Sequence, residues 1–137
     1  MATFRYEPRS FEDAERIFTE HQKEGRLVLG HETVLYSRWF SVARAWGYGI
    51  SLFGNEVVVF HPDGVVEYRT CGWITASTIN RLDAFTPARY TVGGKRYTRR
   101  SKLGEPVMFI RDHETGQVHE FDRHVFMNVN GSITEVD

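Results

Sequence analysis

Gly49-Ile-Ser-Leu-Phe53, Val57-Val-Val-Phe60 and Val65-Val-Glu-Tyr-Arg69 are three short runs of apolar, β-branched and aromatic residues, and their spacing decides the fold. Gly54-Asn55 separates the first two, and both residues tolerate the positive φ that a tight hairpin turn requires. Pro62-Asp63-Gly64 separates the second from the third with a proline-preset turn. Three strands in an antiparallel meander follow.

On the N-terminal side, Thr33 to Trp39, Ser41 to Trp46 and Tyr48 to Phe53 read as successive strands, because aromatic and β-branched residues suit a pleated surface. Before them the period changes to that of a helix over about residues 10 to 24. Ser10 and Asp13 form a capping-box-like pair, Phe11, Ala14, Ile17, Phe18 and His21 share one face, and Gly25 supplies a stop. On the C-terminal side, Thr75 or Ser77 caps a second helix. Ile79, Leu82 and Phe85 line it, and Pro87 ends it. Strand patterning then returns. Arg89 to Val92 and Lys95 to Arg99 flank a Gly93-Gly94 turn, Pro106 to Arg111 and Gln117 to Phe121 flank Glu114-Thr115-Gly116, and Val125 to Val129 meets Ser132 to Thr134 across Asn130-Gly131. The expected fold is α+β: an antiparallel, largely sequential sheet of about eight or nine strands, open or curled into a small barrel, with two short helices.

The 137 residues suit one core, no linker interrupts them, and a single domain over residues 1–137 is expected. A formal net charge of −1 gives no global attraction for polyanions or membranes, so any such activity must be local. Cys71 is the only cysteine, which excludes an internal disulfide and a four-cysteine zinc site and suits a reducing compartment. No apolar run approaches the length of a membrane span. A cytoplasmic location, no membrane association and no cofactor are expected.

The block from Leu52 to Gly64, followed by Cys71-Gly-Trp-Ile-Thr-Ala-Ser-Thr-Ile-Asn-Arg-Leu82, resembles small bacteriophage proteins of the actinobacteriophage type. These share a strand, a Pro-Asp-Gly-type turn, a second strand, a Gly-Trp pivot and a threonine-rich helix start. The resemblance covers roughly residues 31 to 85. It departs from the group's pattern at Ile74, Ala76-Ser77 and Asp83, and is weak in the C-terminal third. It implies a phage origin, hence the cytoplasm of a host cell, and no particular chemistry.

Two features suggest contact surfaces. Lys95, Arg96, Arg99, Arg100 and Lys102 crowd one short stretch, with Tyr97 among them and Arg89 and Tyr90 on the preceding strand. Paired in a hairpin, these would form a cationic stripe with two rings for stacking on bases, suited to nucleic acid or an acidic partner. The plain alternative is a sheet edge loaded with cations against aggregation. Trp39, Phe40, Trp46 and Tyr48 exceed what one face of one strand can bury, so part of this set, with Trp73 at the pivot, is expected to form a protein interface. Core packing on both faces of the sheet is the plain alternative.

Asp112, His113, Glu114, His119, Glu120, Asp122 and His124 gather carboxylates and imidazoles without the spacing of a compact metal motif, and no metal site is expected. Gly-rich phosphate loops, Gly-x-Ser-x-Gly elbows and His-Glu-x-x-His are missing, so no catalytic residue is assigned. The leading expectation is a non-enzymatic phage accessory protein that binds a host protein or nucleoprotein complex and interferes with it, as an anti-defence inhibitor would. Direct nucleic-acid binding through residues 89 to 102 is the second reading, and a small metal-dependent nuclease the third.

Overall fold

A computed structural model describes residues 4–70, 75–95 and 107–136 of the chain. Within them two helices and ten strands form two antiparallel sheets, an α+β arrangement with no closed barrel. Helix α1, Phe11–His21, begins where Ser10 accepts a hydrogen bond from the Asp13 amide at 3.1 Å. It stops three residues short of the expected end. Gln22 turns into extended backbone, and Gly25, with φ of 80°, serves the turn into the next strand instead.

Strands β1 (Arg26–Gly30), β2 (Thr33–Phe40), β3 (Ala45–Leu52), β4 (Asn55–Phe60) and β5 (Val66–Arg69) follow as an unbroken meander. The proposed strand from Ser41 to Trp46 does not form. β2 runs on to Phe40, Ser41 to Arg44 make the turn, Arg44 takes a φ of 49°, and Trp46 belongs to β3. The next turn is displaced by one residue from Gly54-Asn55. Phe53 and Gly54 hold positive φ values of 50° and 80°, and Asn55 already pairs with Leu52. The Pro62 to Gly64 turn forms as expected, with the Gly64 amide on the His61 carbonyl at 3.0 Å.

Helix α2, Ala76–Ala84, starts at Thr75, whose hydroxyl accepts from the Thr78 amide. Arg81 on α2 anchors the helix to the β1–β2 turn. It donates from Nε to the Thr33 hydroxyl at 3.0 Å and from Nη2 to the His31 carbonyl at 3.2 Å. Burial pushes its pKa down, yet these acceptors favour the charged guanidinium. The smaller sheet comprises β6 (Tyr90–Lys95), β7 (Val107–Asp112) and β8 (Val118–Phe121). The chain then returns through β9 (His124–Met127) to lie beside β5, and β10 (Ile133–Val136) closes the large sheet in the order β1-β2-β3-β4-β5-β9-β10.

The expected hairpin at Gly93-Gly94 is overturned. β6 runs straight through both glycines and pairs with β7, Gly93 opposite Phe109 and Lys95 opposite Val107. The glycines are there for packing: a Cβ on Gly93 would fall 2.5 Å from the Phe109 ring, which lies across the strand. Lys95 therefore continues the strand that Arg89 precedes, and residues 96 to 100 of the expected hairpin arm lie outside the described residues.

Both helices and the smaller sheet pack on one face of the large sheet. Ala14 and Ile17 of α1, Leu82 and Phe85 at α2, and Met108, Ile110 and Phe121 of the smaller sheet share a core with Leu35, Ile50, Val58, Tyr68 and Val125. Alternation along the strands turns the intervening residues to the other face, where Glu67 stands opposite Val59 and Phe126, and Arg69 opposite His124.

Candidate functional site

That second face holds an ion network assembled from four strands and a turn. Glu67 on β5 is 2% exposed and its carboxylate receives three donors. His61 Nε2 reaches Oε1 at 2.7 Å, while His124 Nε2 and Arg69 Nε each reach Oε2 at 2.5 Å. Burial pushes the Glu67 pKa up, but hydrogen bonds from His61, Arg69 and His124 outweigh it and hold the carboxyl at about 2. Arg69 extends the network by placing Nη1 3.0 Å from Oε1 of Glu56, and Arg38 on β2 lies 3.5 Å from the other Glu56 oxygen. The Tyr36 hydroxyl donates to that same oxygen, and burial together with the Glu56 anion pushes its pKa upward.

Two glycines on β3 make room for this layer. A Cβ on Gly49 would stand 2.6 Å from the Tyr36 ring, and one on Gly47 would stand 2.4 Å from the Phe40 ring. Both rings therefore lie over β3, as aromatic side chains do when they cover strand glycines. The partners described for this face come from the large sheet and from His61 at the end of β4. Neither helix contributes one among the described residues.

At the end of the β2–β3 hairpin, Trp39 and Trp46 are paired across the strands, 50% and 55% exposed, with ring centroids 5.4 Å apart and planes at 66°. They sit on the core side of the sheet but past the cover of α1, whose Phe11 and Phe18 end on Tyr48. Val42 at the hairpin tip is fully exposed. A cleft of about 440 Å³ runs between this tip and the next turn, lined by Trp39, Phe40, Val42, His61, Pro62 and Asp63 among others.

The expected interface set thus divides. Trp39 and Trp46 are surface residues, Phe40 is half-buried under Arg38 on the second face, Tyr48 is in the core, and Trp73 lies outside the described residues. Of the cationic stripe, Arg96, Tyr97, Arg99, Arg100 and Lys102 lie outside the described residues, as does the Lys95 side chain. Arg89 is committed elsewhere. It grips Asp112 through Nε at 3.0 Å and Nη2 at 2.8 Å and reaches Glu114 at 3.1 Å. Tyr90 is buried with its hydroxyl toward the Gly131 carbonyl.

The carboxylates and imidazoles from Asp112 to His124 disperse. His113 meets Thr91, His119 lies 3.7 Å from Glu135, and His124 joins Glu67. Among the described residues no group of three His, Cys, Asp or Glu is disposed to hold a metal ion. No described helix is long and apolar enough to cross a membrane. Sequence reasoning missed Glu67 as a centre. Its one signal was a carboxylate inside the apolar run Val65-Val-Glu-Tyr-Arg69 at a position that alternation turns from the core. No protein-family model matches the chain, and neither the curated proteins nor the solved structures include a match.

Proposed function

We propose that the protein is a non-enzymatic binding module that docks on a macromolecular partner through the tip of its β2–β3 hairpin. The observation behind this reading is the Trp39–Trp46 pair. Two indoles held edge to face on a strand pair, beside a fully exposed Val42, are anchors of the kind that dominate binding energy at interfaces. Their presentation on paired strands limits the ordering entropy that docking would otherwise cost. The donors around Glu67 are consistent with a scaffold role, since the carboxylate is already occupied by three of them.

The resemblance of residues 31 to 85 to small bacteriophage proteins supports a host protein or nucleoprotein complex as the partner, and interference with that partner in the host cytoplasm as the outcome. Affinity capture tests this. The immobilised wild-type chain is expected to retain one dominant protein from host lysate, and the W39A/W46A variant, equally folded by circular dichroism, is expected to release it. Equal retention by that variant, or no specific capture by the wild type, defeats the proposal.

A further inference from the structure

The second face of the large sheet has an aromatic row that the hairpin reading does not use. Four rings follow one another across it: Phe40 to His61 at 4.7 Å, His61 to Phe126 at 6.0 Å, and Phe126 to His124 at 4.8 Å between centroids. Beneath them lie the two carboxylates, with Glu56 and Glu67 side chains only 17% and 2% exposed, while the guanidinium-bearing side chains of Arg38 and Arg69 are 33% and 36% exposed. Two anions and two guanidinium cations balance formally. Their depths differ, so an approaching ligand meets cations and rings before it meets carboxylates. Arg38 stands 4.9 Å over the Phe40 ring and so joins charge to π-surface at one point.

We propose that this face is a binding surface for single-stranded nucleic acid, with bases stacking on Phe40, His61, Phe126 and His124, and phosphate taken by Arg38, while Arg69 stays committed to the two carboxylates. Partly exposed rings, the His61 and His124 side chains 22% and 28% exposed, with the Arg38 guanidinium over one of them, match that ligand on two counts. Every base offers a π-face, and the backbone supplies the negative charge that the Arg38 guanidinium complements. A duplex hides its base faces in the stack and gains only the phosphate contacts. The two histidines are fixed by Glu67, which holds their rings in the row without a cost in ordering on binding.

The test is fluorescence anisotropy of the full chain with labelled single-stranded RNA, single-stranded DNA of the same sequence, and the corresponding duplex, across a salt series. Single strands are expected to bind more tightly than duplex, and the two single-strand arms show whether the sugar matters. F126L and F40L keep apolar volume and remove the aromatic face. Each is expected to weaken binding about tenfold, and R38Q to lower the salt slope by roughly 0.7. Thermal melts of each variant confirm folding. W39A/W46A is expected to leave oligonucleotide binding unchanged, which separates this surface from the hairpin. Three outcomes overturn the proposal: no single-strand retention at low salt; retention lost only in the K95A/R96A/R99A/R100A variant; or binding of polyglutamate in place of oligonucleotide, which would make the face a docking site for acidic protein.

Discussion

His124 on β9 donates from Nε2 to Oε2 of Glu67 on β5 at 2.5 Å, one step diagonal to the register that pairs Glu67 with Phe126. The contact joins the strand that ends the meander to the strand that returns after α2 and the smaller sheet, so one buried carboxylate ties together parts of the chain far apart in sequence. Its folded pKa of about 2 lies below the ordinary value of 4.5. The associated stability is complete above the unfolded value and is lost as pH falls from about 4.5 through about 2. The shift corresponds to about 3 kcal/mol. Glu67→Gln is expected to lower stability by about this much near neutral pH and to flatten the acid limb in that window, read by urea unfolding at a series of pH values. An unchanged acid limb in the variant would assign acid sensitivity to other groups.

Gly49 is expected to be intolerant of a side chain. Its φ is not in the left-handed region, so the obstacle is space alone: a Cβ would meet the Tyr36 ring at 2.6 Å and a Glu56 oxygen at 2.9 Å. Gly49→Ala should cost about 1–3 kcal/mol by displacing both partners. Removing the ring should relieve part of that cost, so the Y36A/G49A double variant is expected to be less destabilised than the sum of its singles. Additive effects in denaturant titrations would show that the ring is not what crowds the site.

The same relationships show what was legible in the sequence. Ser10 with Asp13, Pro62 to Gly64 and Asn130-Gly131 announced a helix start and two turns because each acts over three or four neighbouring residues. Gly93-Gly94 misled because glycine signals both a turn and a close approach. Only the ring of Phe109, brought opposite by β-pairing, decides between them. The turn at Phe53-Gly54 shifted by one residue because Asn55 is paired with Leu52, and the exposed Phe53 accepts the positive φ. The Glu67 site was illegible for a topological reason. His61 precedes it by one turn, but His124 arrives only after the return strand, and no local pattern encodes that placement.

Arg89 is expected to act as a structural clamp. Its fork spans both Asp112 oxygens, and this hydrogen bonding holds the Asp112 carboxyl at about 2, below its ordinary value of 3.8. Arg89→Ala should lower the melting temperature and let the Asp112 pKa climb back toward that ordinary value, followed by NMR titration of the side-chain carboxyl. Arg89→Lys should recover only part of the effect, because an ammonium cannot span both oxygens in the same plane. A variant with unchanged melting and an unmoved Asp112 would free Arg89 for the cationic stripe proposed for residues 89 to 102.

Trp39 and Trp46 should contribute little to folding for residues of their size. Each is about half exposed, and their mutual contact is a cross-strand aromatic pair of the kind that adds about 0.5–1 kcal/mol. Trp39→Ala is therefore expected to cost about 1 kcal/mol or less, and Trp46→Ala to cost less in the Trp39→Ala background than alone, since the pair is already broken. A buried tryptophan would cost about 3–5 kcal/mol on truncation, and a loss of that size in urea unfolding would place the indoles in the core. A small coupled loss leaves two large apolar surfaces on a hairpin that does not need them to fold. Selection for stability alone gives no reason to keep both there, whereas a partner that buries them does.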